Sequence, residues 1–395
     1  MPRRLSYPRN RSGRILVAGA IAAHPIGGGG NTWAFLQYVL GLQRLGFEVF
    51  YFEELAPERC FDETWNPAPF ETSYNAAYFR QVMTEFGLER HAGLWSSADP
   101  HCGIGLPFAR AVNIARTADA IVNLSGRMHR EEILFGPRRR IYVDLDPAFT
   151  QIWQERYGVD MNLRNHDVHF TVGLCFGSPQ CKAPTCGVSW HPTTPPVVLD
   201  HWETSEIPGR HYTTVADWRG YSPVEWQGVW YGQKSEEFLR ILDLPRFAPV
   251  ELELCLAIHP EEPDLARLRA AGWLIADPRV HAGSPEAYRR YIHRSRGEFT
   301  VVKNGYRVGR TGWFSDRSAC YLAAGRPAVV QDTGFSGVLP CGIGLLAFET
   351  QDQACAALAA VERDYARHSR AARELAREYF DSDRVLARLL EGAGV

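Results

Sequence analysis

The stretch 303–340, KNGYRVGRTGWFSDRSACYLAAGRPAVVQDTGFSGVLP, sets Lys303, Arg307 and Arg310 just ahead of a glycine turn and a helix start. That combination suits a polyanion, above all a diphosphate. Gly312 provides the turn, and Ser315 or Asp316 is a natural N-cap for the helix that follows. The helix is expected to run through Leu322 and Ala324 and to stop at Gly325, with Pro327 barring its continuation. Unpaired N–H groups and partial positive charge at a helix N-terminus favour phosphate. The upstream cations would add charge-assisted contacts of about 1.5–3 kcal/mol each. Residues 328–330 read as a strand buried on both faces, and Asp332, Thr333 and Gly334 end it, either lining a ligand or making an ordinary turn.

Such residues need a scaffold to position them. Residues 14–18 read as a first strand, followed by AHPIGGGGNT, a helix over 32–45 closed by Gly46, and a second strand over 47–52. This βαβ unit implies a parallel sheet with a right-handed crossover. The loop Gly28, Gly29, Gly30 and Asn31 would let backbone approach a ligand, or would be a mobile turn; it does not match the dinucleotide pattern G-x-G-x-x-G. Strands over 120–124 and 140–144 end in Ser125-Gly126-Arg127 and Asp146-Pro147, as at the carboxyl edge of an α/β sheet. The proline-rich 192–209 has linker composition. A second series follows, with strands over 212–216 and 250–256 and a helix over 234–242. Two amphipathic helices, over 353–367 and 368–390, close the chain.

The motifs GWFSDR, YLAAGRP and QDTGF, with the tail YARH and AREYFDS and the central FTVG, resemble nucleotide-sugar glycosyltransferases. These are the GT-B enzymes, in particular bacterial group 1 and spore-maturation-type members. The resemblance implies an α/β protein of two Rossmann-like domains facing a cleft, with its final helix crossing back to the first domain. It implies a basic tail over 1–13, an acceptor domain over 14–200, a donor domain over 201–370 and the returning helix over 371–395. Donor binding then falls to Gly312, Trp313, Phe314, Ser315, Asp316 and Arg317 with Arg310, and to Asp332, Thr333 and Gly334. Arg219 in ADWRGYS and Lys234 in YGQKSEEF are similar to the pair that clamps the donor phosphates in retaining relatives, and the glycine loop would face the cleft. Two glutamates of the relatives' motif are missing: Gly312 and Cys320 stand in their places. Ribose recognition and stereochemical course therefore do not carry over.

Glycosyl transfer also needs a way to handle the acceptor hydroxyl proton. His24 beside the glycine loop is the first candidate base, followed by Asp146 at a strand end and His169 in HDVHFTVG. Asp146 could equally cap a helix, and an enzyme that retains configuration would need no base. Trp218, Trp226, Trp230 and Tyr231 offer aromatic faces to a base or an apolar acceptor, or are core. The expected activity is metal-independent hexosyl transfer from a nucleoside diphosphate sugar, with no cofactor, to a small-molecule, glycan or protein acceptor. A sugar-nucleotide epimerase and a non-catalytic sugar-nucleotide-binding subunit are the alternatives.

Composition sets the outer limits. A chain of 395 residues, 45% hydrophobic, can form two domains with separate cores. A net charge of −2 without a sustained basic stripe argues against a nucleic-acid partner. No apolar run approaches the ~20 residues of a membrane span, and no signal h-region is expected after the basic MPRRLSYPRNRSGR. Nine scattered cysteines fit a reducing cytoplasm. Cys175, Cys181 and Cys186 lie between His169 and His191, but their spacing is not that of a zinc site.

Overall fold

A computed structural model describes residues 13–204 and 208–395, so the basic tail, apart from Gly13, lies outside the described residues. The first sheet holds β1 (Arg14–Ala18), β2 (Glu48–Leu55), β3 (Ala92–Ser96), β4 (Gly103–Gly105), β5 (Ala120–Leu124), β6 (Arg139–Asp144), β7 (Val168–Thr171) and β8 (Trp190–Pro192). Their order is β4-β3-β2-β1-β5-β6-β7-β8, parallel except for β4. β1 is central, with Ile15 opposite both Val49 and Ala120, and all but its first residue are buried. The apolar run ILVA is what a strand covered on both faces requires.

After β9 (Tyr212–Asp217) comes a small hairpin, β10 (Val224–Trp226) and β11 (Val229–Tyr231). The second sheet adds β12 (Leu252–Ala257), β13 (Leu274–Ala276), β14 (Gly297–Thr300), β15 (Ala328–Gln331) and β16 (Leu345–Phe348) to β9. Its order is β13-β12-β9-β14-β15-β16, all parallel. Strand order therefore reverses between β1 and β5 in one sheet and between β9 and β14 in the other. Ligands of open α/β sheets collect at the carboxyl ends of such strands.

Five helices matter for the site: α1 (Gly29–Arg44), α2 (Lys234–Arg240), α3 (Pro285–His293), α4 (Asp316–Ala323) and α5 (Ser382–Ala393). α5 lies on α1, where Arg44 pairs with Asp383 at 2.9 Å, so the chain's end does cross back to the first domain. The expected long final helices are divided instead. Asp364 caps one segment, Tyr365–Leu375, and Asp381 caps α5, because each side chain accepts a backbone N–H and starts a new helix.

Two further expectations change. The proline-rich stretch is no loose linker over its described part: the Val197 N–H donates to the Phe380 carbonyl at 2.7 Å, and Trp202 is fully buried against Trp33 and His293. Nor are the cores separate. One apolar cluster runs from Val17 and Leu36 through Phe314 and Tyr321 to Leu386, because α1, α4 and α5 share faces; the outer side of the second sheet has its own.

Candidate active site in the interdomain cleft

The carboxyl ends of the two sheets face each other. Asp146, just beyond β6, accepts hydrogen bonds across the seam from the Tyr221 hydroxyl at 2.6 Å, from the Lys303 ammonium at 3.3 Å and from the Tyr306 hydroxyl. Lys303 also lies 4.1 Å from the Tyr221 ring centroid. Asp146 thus ties the domains together, with its oxygens engaged by the second domain.

His24 follows β1 and is exposed in the same seam, within electrostatic reach of Arg59, Arg127 and Asp217. Partial desolvation and the two arginines lower its pKa, so the imidazole is neutral near pH 7 and able to accept a proton. Beneath it, the buried Glu53 carboxylate accepts the Ala22 N–H at 3.0 Å and the Ala23 N–H at 3.1 Å, while Tyr51 donates to Glu53 and accepts the Ile21 N–H. Burial raises the Glu53 pKa to about 7. Sequence reasoning missed Glu53; a glutamate within the apolar run of β2 was the available signal. His169 is different: it is buried on β7, bonded to the Leu163 carbonyl at 2.7 Å and packed on Tyr142 and Trp190.

On the second domain, Lys234 opens α2, and among the described residues its side-chain amine has no hydrogen bond or ion pair. The side chain is half-buried. Desolvation, with Arg317 and Lys303 nearby, lowers its pKa to about 7. Ser315 caps α4 by accepting the Arg317 N–H at 3.2 Å, as its sequence predicts. The Asp316 carboxylate leans on the same amides, and burial raises its pKa. That helix end is therefore partly filled by the chain's own oxygens. Arg317 is buried and turned to the sheet, donating to Glu298 at 2.6 Å, the Val215 carbonyl at 2.9 Å and Thr300 at 3.0 Å.

The other predicted donor residues lie in turns, core or ion pairs. Arg219 pairs with Glu262 and Asp264, and Arg310 with Glu349 at 3.0 Å and Asp332 at 3.8 Å. Asp332 holds the turn after β15 by accepting the N–H groups of Gly334 and Ser336. The Thr333 hydroxyl donates to the Trp313 carbonyl, Trp313 stacks on Tyr306, and Phe314 is buried between Phe335 and Phe380. Gly312 has φ +72°, and a Cβ there would sit 2.4 Å from the Cys175 amide nitrogen of the first domain. Cys320 is buried inside α4, facing Gln37 of the first domain. The glycine loop is closed rather than open: the Gly29 N–H donates to the Ala282 carbonyl at 2.7 Å, Gly28 and Gly30 have no room for a Cβ, and the Asn31 amide holds the Ala20 carbonyl. Among the described residues, no three His, Cys, Asp or Glu side chains cluster to hold a metal ion, and no helix is long and apolar enough to cross a membrane.

No family model and no curated protein matches the chain. Solved structures do. One is an α-glucosyltransferase solved with UDP-glucose and DNA containing an abasic site, at 11% identity over 98% of this chain and 100% of that one, TM-score 0.56. Another is Alr3699/HepE of Anabaena with UDP-glucose, at 11% identity over 96% and 99%, TM-score 0.57. A third is AviGT4, a glycosyltransferase involved in avilamycin A biosynthesis, at 13% identity over 96% and 97%, TM-score 0.53. This chain has the GT-B fold. Likeness at this identity carries the GT-B architecture, not a donor, an acceptor or the spore-maturation subgroup. One GT-B neighbour was solved on DNA, so the expected exclusion of nucleic acid finds no support in the fold.

Proposed function

We propose that this chain is a glycosyltransferase that moves a hexose from a nucleoside diphosphate sugar to an acceptor bound on the first domain, without a metal or cofactor. The observation that carries this reading is Lys234. Its half-buried amine, unpaired among the described residues and with a pKa lowered to about 7, would be held protonated by a bound anion. A diphosphate leaving group gains charge as the bond from the anomeric carbon to its oxygen breaks, and a fixed ammonium offsets that charge. The anomeric carbon then bonds to the acceptor oxygen, whose proton passes to neutral His24. Asp146, held by Lys303, Tyr221 and Tyr306, keeps the domains in register instead of acting as the base.

Calorimetry with UDP, GDP, dTDP, ADP and NAD tests this. UDP leads the panel because two of the solved neighbours hold UDP-glucose. One diphosphate is expected to bind, and Lys234→Ala to weaken it about tenfold or more while leaving the nucleoside unaffected. Binding of NAD alone, or equal losses for diphosphate and nucleoside, would sink the reading. Slow hydrolysis of the donor sugar without acceptor separates a transferase from an epimerase, which would release an epimer.

A further inference from the structure

The neighbouring strands β2, β1 and β5 lead at their carboxyl ends into the segments that hold Arg59, His24 and Arg127. Arg59 closes the short 3-10 turn Pro57–Arg59 directly after β2. Arg127 follows a tight turn after β5 in which Ser125 has φ +54° and Gly126 φ +67°. Both arginines are exposed at the seam, within electrostatic reach of each other and of His24.

Among the described residues, neither guanidinium makes a hydrogen bond or an ion pair. The contrast with their neighbour Arg130 is instructive: it pairs with Glu54 at 2.7 Å and donates to the carbonyls of Ser96 and Ser97. None of the nearby carboxylates pairs with either arginine among the described residues. Glu53 holds the amides of Ala22 and Ala23, Asp146 holds Lys303, and Asp217 sits across the seam at the end of β9. Two like charges set side by side repel, the nearby carboxylates offset this only at a distance, and an oxyanion brought by a ligand would relieve it. Guanidinium forks match phosphate and carboxylate geometry. The donor diphosphate is assigned to Lys234, on the other domain, so this second anion belongs to the other substrate.

We propose that Arg59 and Arg127 form an anion site on the first domain that receives a phosphate or carboxylate borne by the acceptor, beside His24. This rests on the transferase reading for the word acceptor, but the anion site is testable without it.

The full chain, with and without saturating UDP, would be titrated with inorganic phosphate and separately with acetate at constant low ionic strength. Wild type, Arg59→Gln/Arg127→Gln and Lys234→Ala would be compared by calorimetry. One anion is expected to bind the UDP-saturated wild type. The double arginine variant should lose about tenfold or more of that affinity while its UDP affinity stays within about twofold; Lys234→Ala should do the reverse. Preference for phosphate or for acetate assigns the acidic group. An unchanged thermal midpoint shows that the variant is folded, and the single substitutions serve if it is not. Failure of either anion to bind wild type, or binding that survives loss of both arginines, overturns the proposal. So does a loss of UDP affinity as large as that of Lys234→Ala, which would assign the arginines to the donor. If UDP does not bind but the anion does, through these arginines, the transferase reading falls and the site stands.

Discussion

Lys234 and Arg317 begin neighbouring helices in the second domain, and their charges do different work. Arg317 is fully committed to Glu298, Val215 and Thr300, so it anchors α4 on the sheet; removing one partner of such a buried pair costs about 3–5 kcal/mol. Lys234 has no partner among the described residues, and in the proposed reading it takes the donor diphosphate. Glu53 shows a third case, a carboxylate whose burial outweighs its two amide donors. Its folded pKa of about 7 lies above the ordinary carboxylate value, so folding is favoured by the protonated form. That contribution is fully present below the unfolded value near 4.5 and is lost as pH rises through 7. Glu53→Gln should therefore flatten the fall in thermal midpoint between pH 4.5 and 7. It should also cost about 1–3 kcal/mol at pH 5, because the amide nitrogen, unlike the hydroxyl oxygen of the protonated acid, has no lone pair with which to accept the second backbone N–H. Scanning calorimetry across that range checks both; an unaltered slope would show that Glu53 does not titrate there.

At the scale of elements, α4 starts where expected, whereas α1 starts at Gly29, inside the glycine run that reads as a loop ahead of a helix from 32. The four-glycine run reads as an opening for a ligand because glycine permits close approach. What approaches is the chain itself: a Cβ at Gly29 would lie 2.2 Å from the Ser284 carbonyl oxygen, next to the N-terminus of α3. Gly29→Ala should destabilise the protein by about 1–3 kcal/mol, since backbone cannot yield as a side chain can. Urea unfolding followed by fluorescence measures this; a loss below about 0.5 kcal/mol would mean that the two domains move apart there without cost. α4 was predicted almost to the residue, since Ser315 caps it and Gly325, at φ +69°, ends it. Local chemistry decides such ends. The observed final helices are shorter than expected because the amphipathic pattern continues across Asp364 and Asp381, while each of these side chains accepts a nearby backbone N–H and begins a new helix.

For the molecule as a whole, the node around Asp146 matters most. One carboxylate on the first domain meets Tyr221, Lys303 and Tyr306 of the second, with Phe149 packed edge-on to Tyr221. Asp146→Asn removes the charge that holds Lys303, and the ligand-free domains should open. Small-angle scattering should then show a radius of gyration above the wild-type value, which for a compact chain of this length is about 21 Å. An unchanged radius together with an unchanged thermal midpoint would show that α1, α4 and α5 alone set the domain geometry.

What the sequence determined by itself was local or periodic: apolar strands, capped helices, glycine ends, and motifs whose resemblance pointed to two Rossmann-like domains. These depend on residues close together in the chain. Only the tertiary structure decided which charges remain free. Arg219 and Arg310 look in sequence like Lys234, basic side chains beside a turn, but Glu262, Asp264, Glu349 and Asp332 come from 22 to 45 positions away to neutralise them. Arg59 and Arg127 stand out only when β2, β1 and β5 lie side by side and no carboxylate comes within 4 Å of either, among the described residues. Pairing of charges is a property of distance in space, to which spacing along the chain is blind.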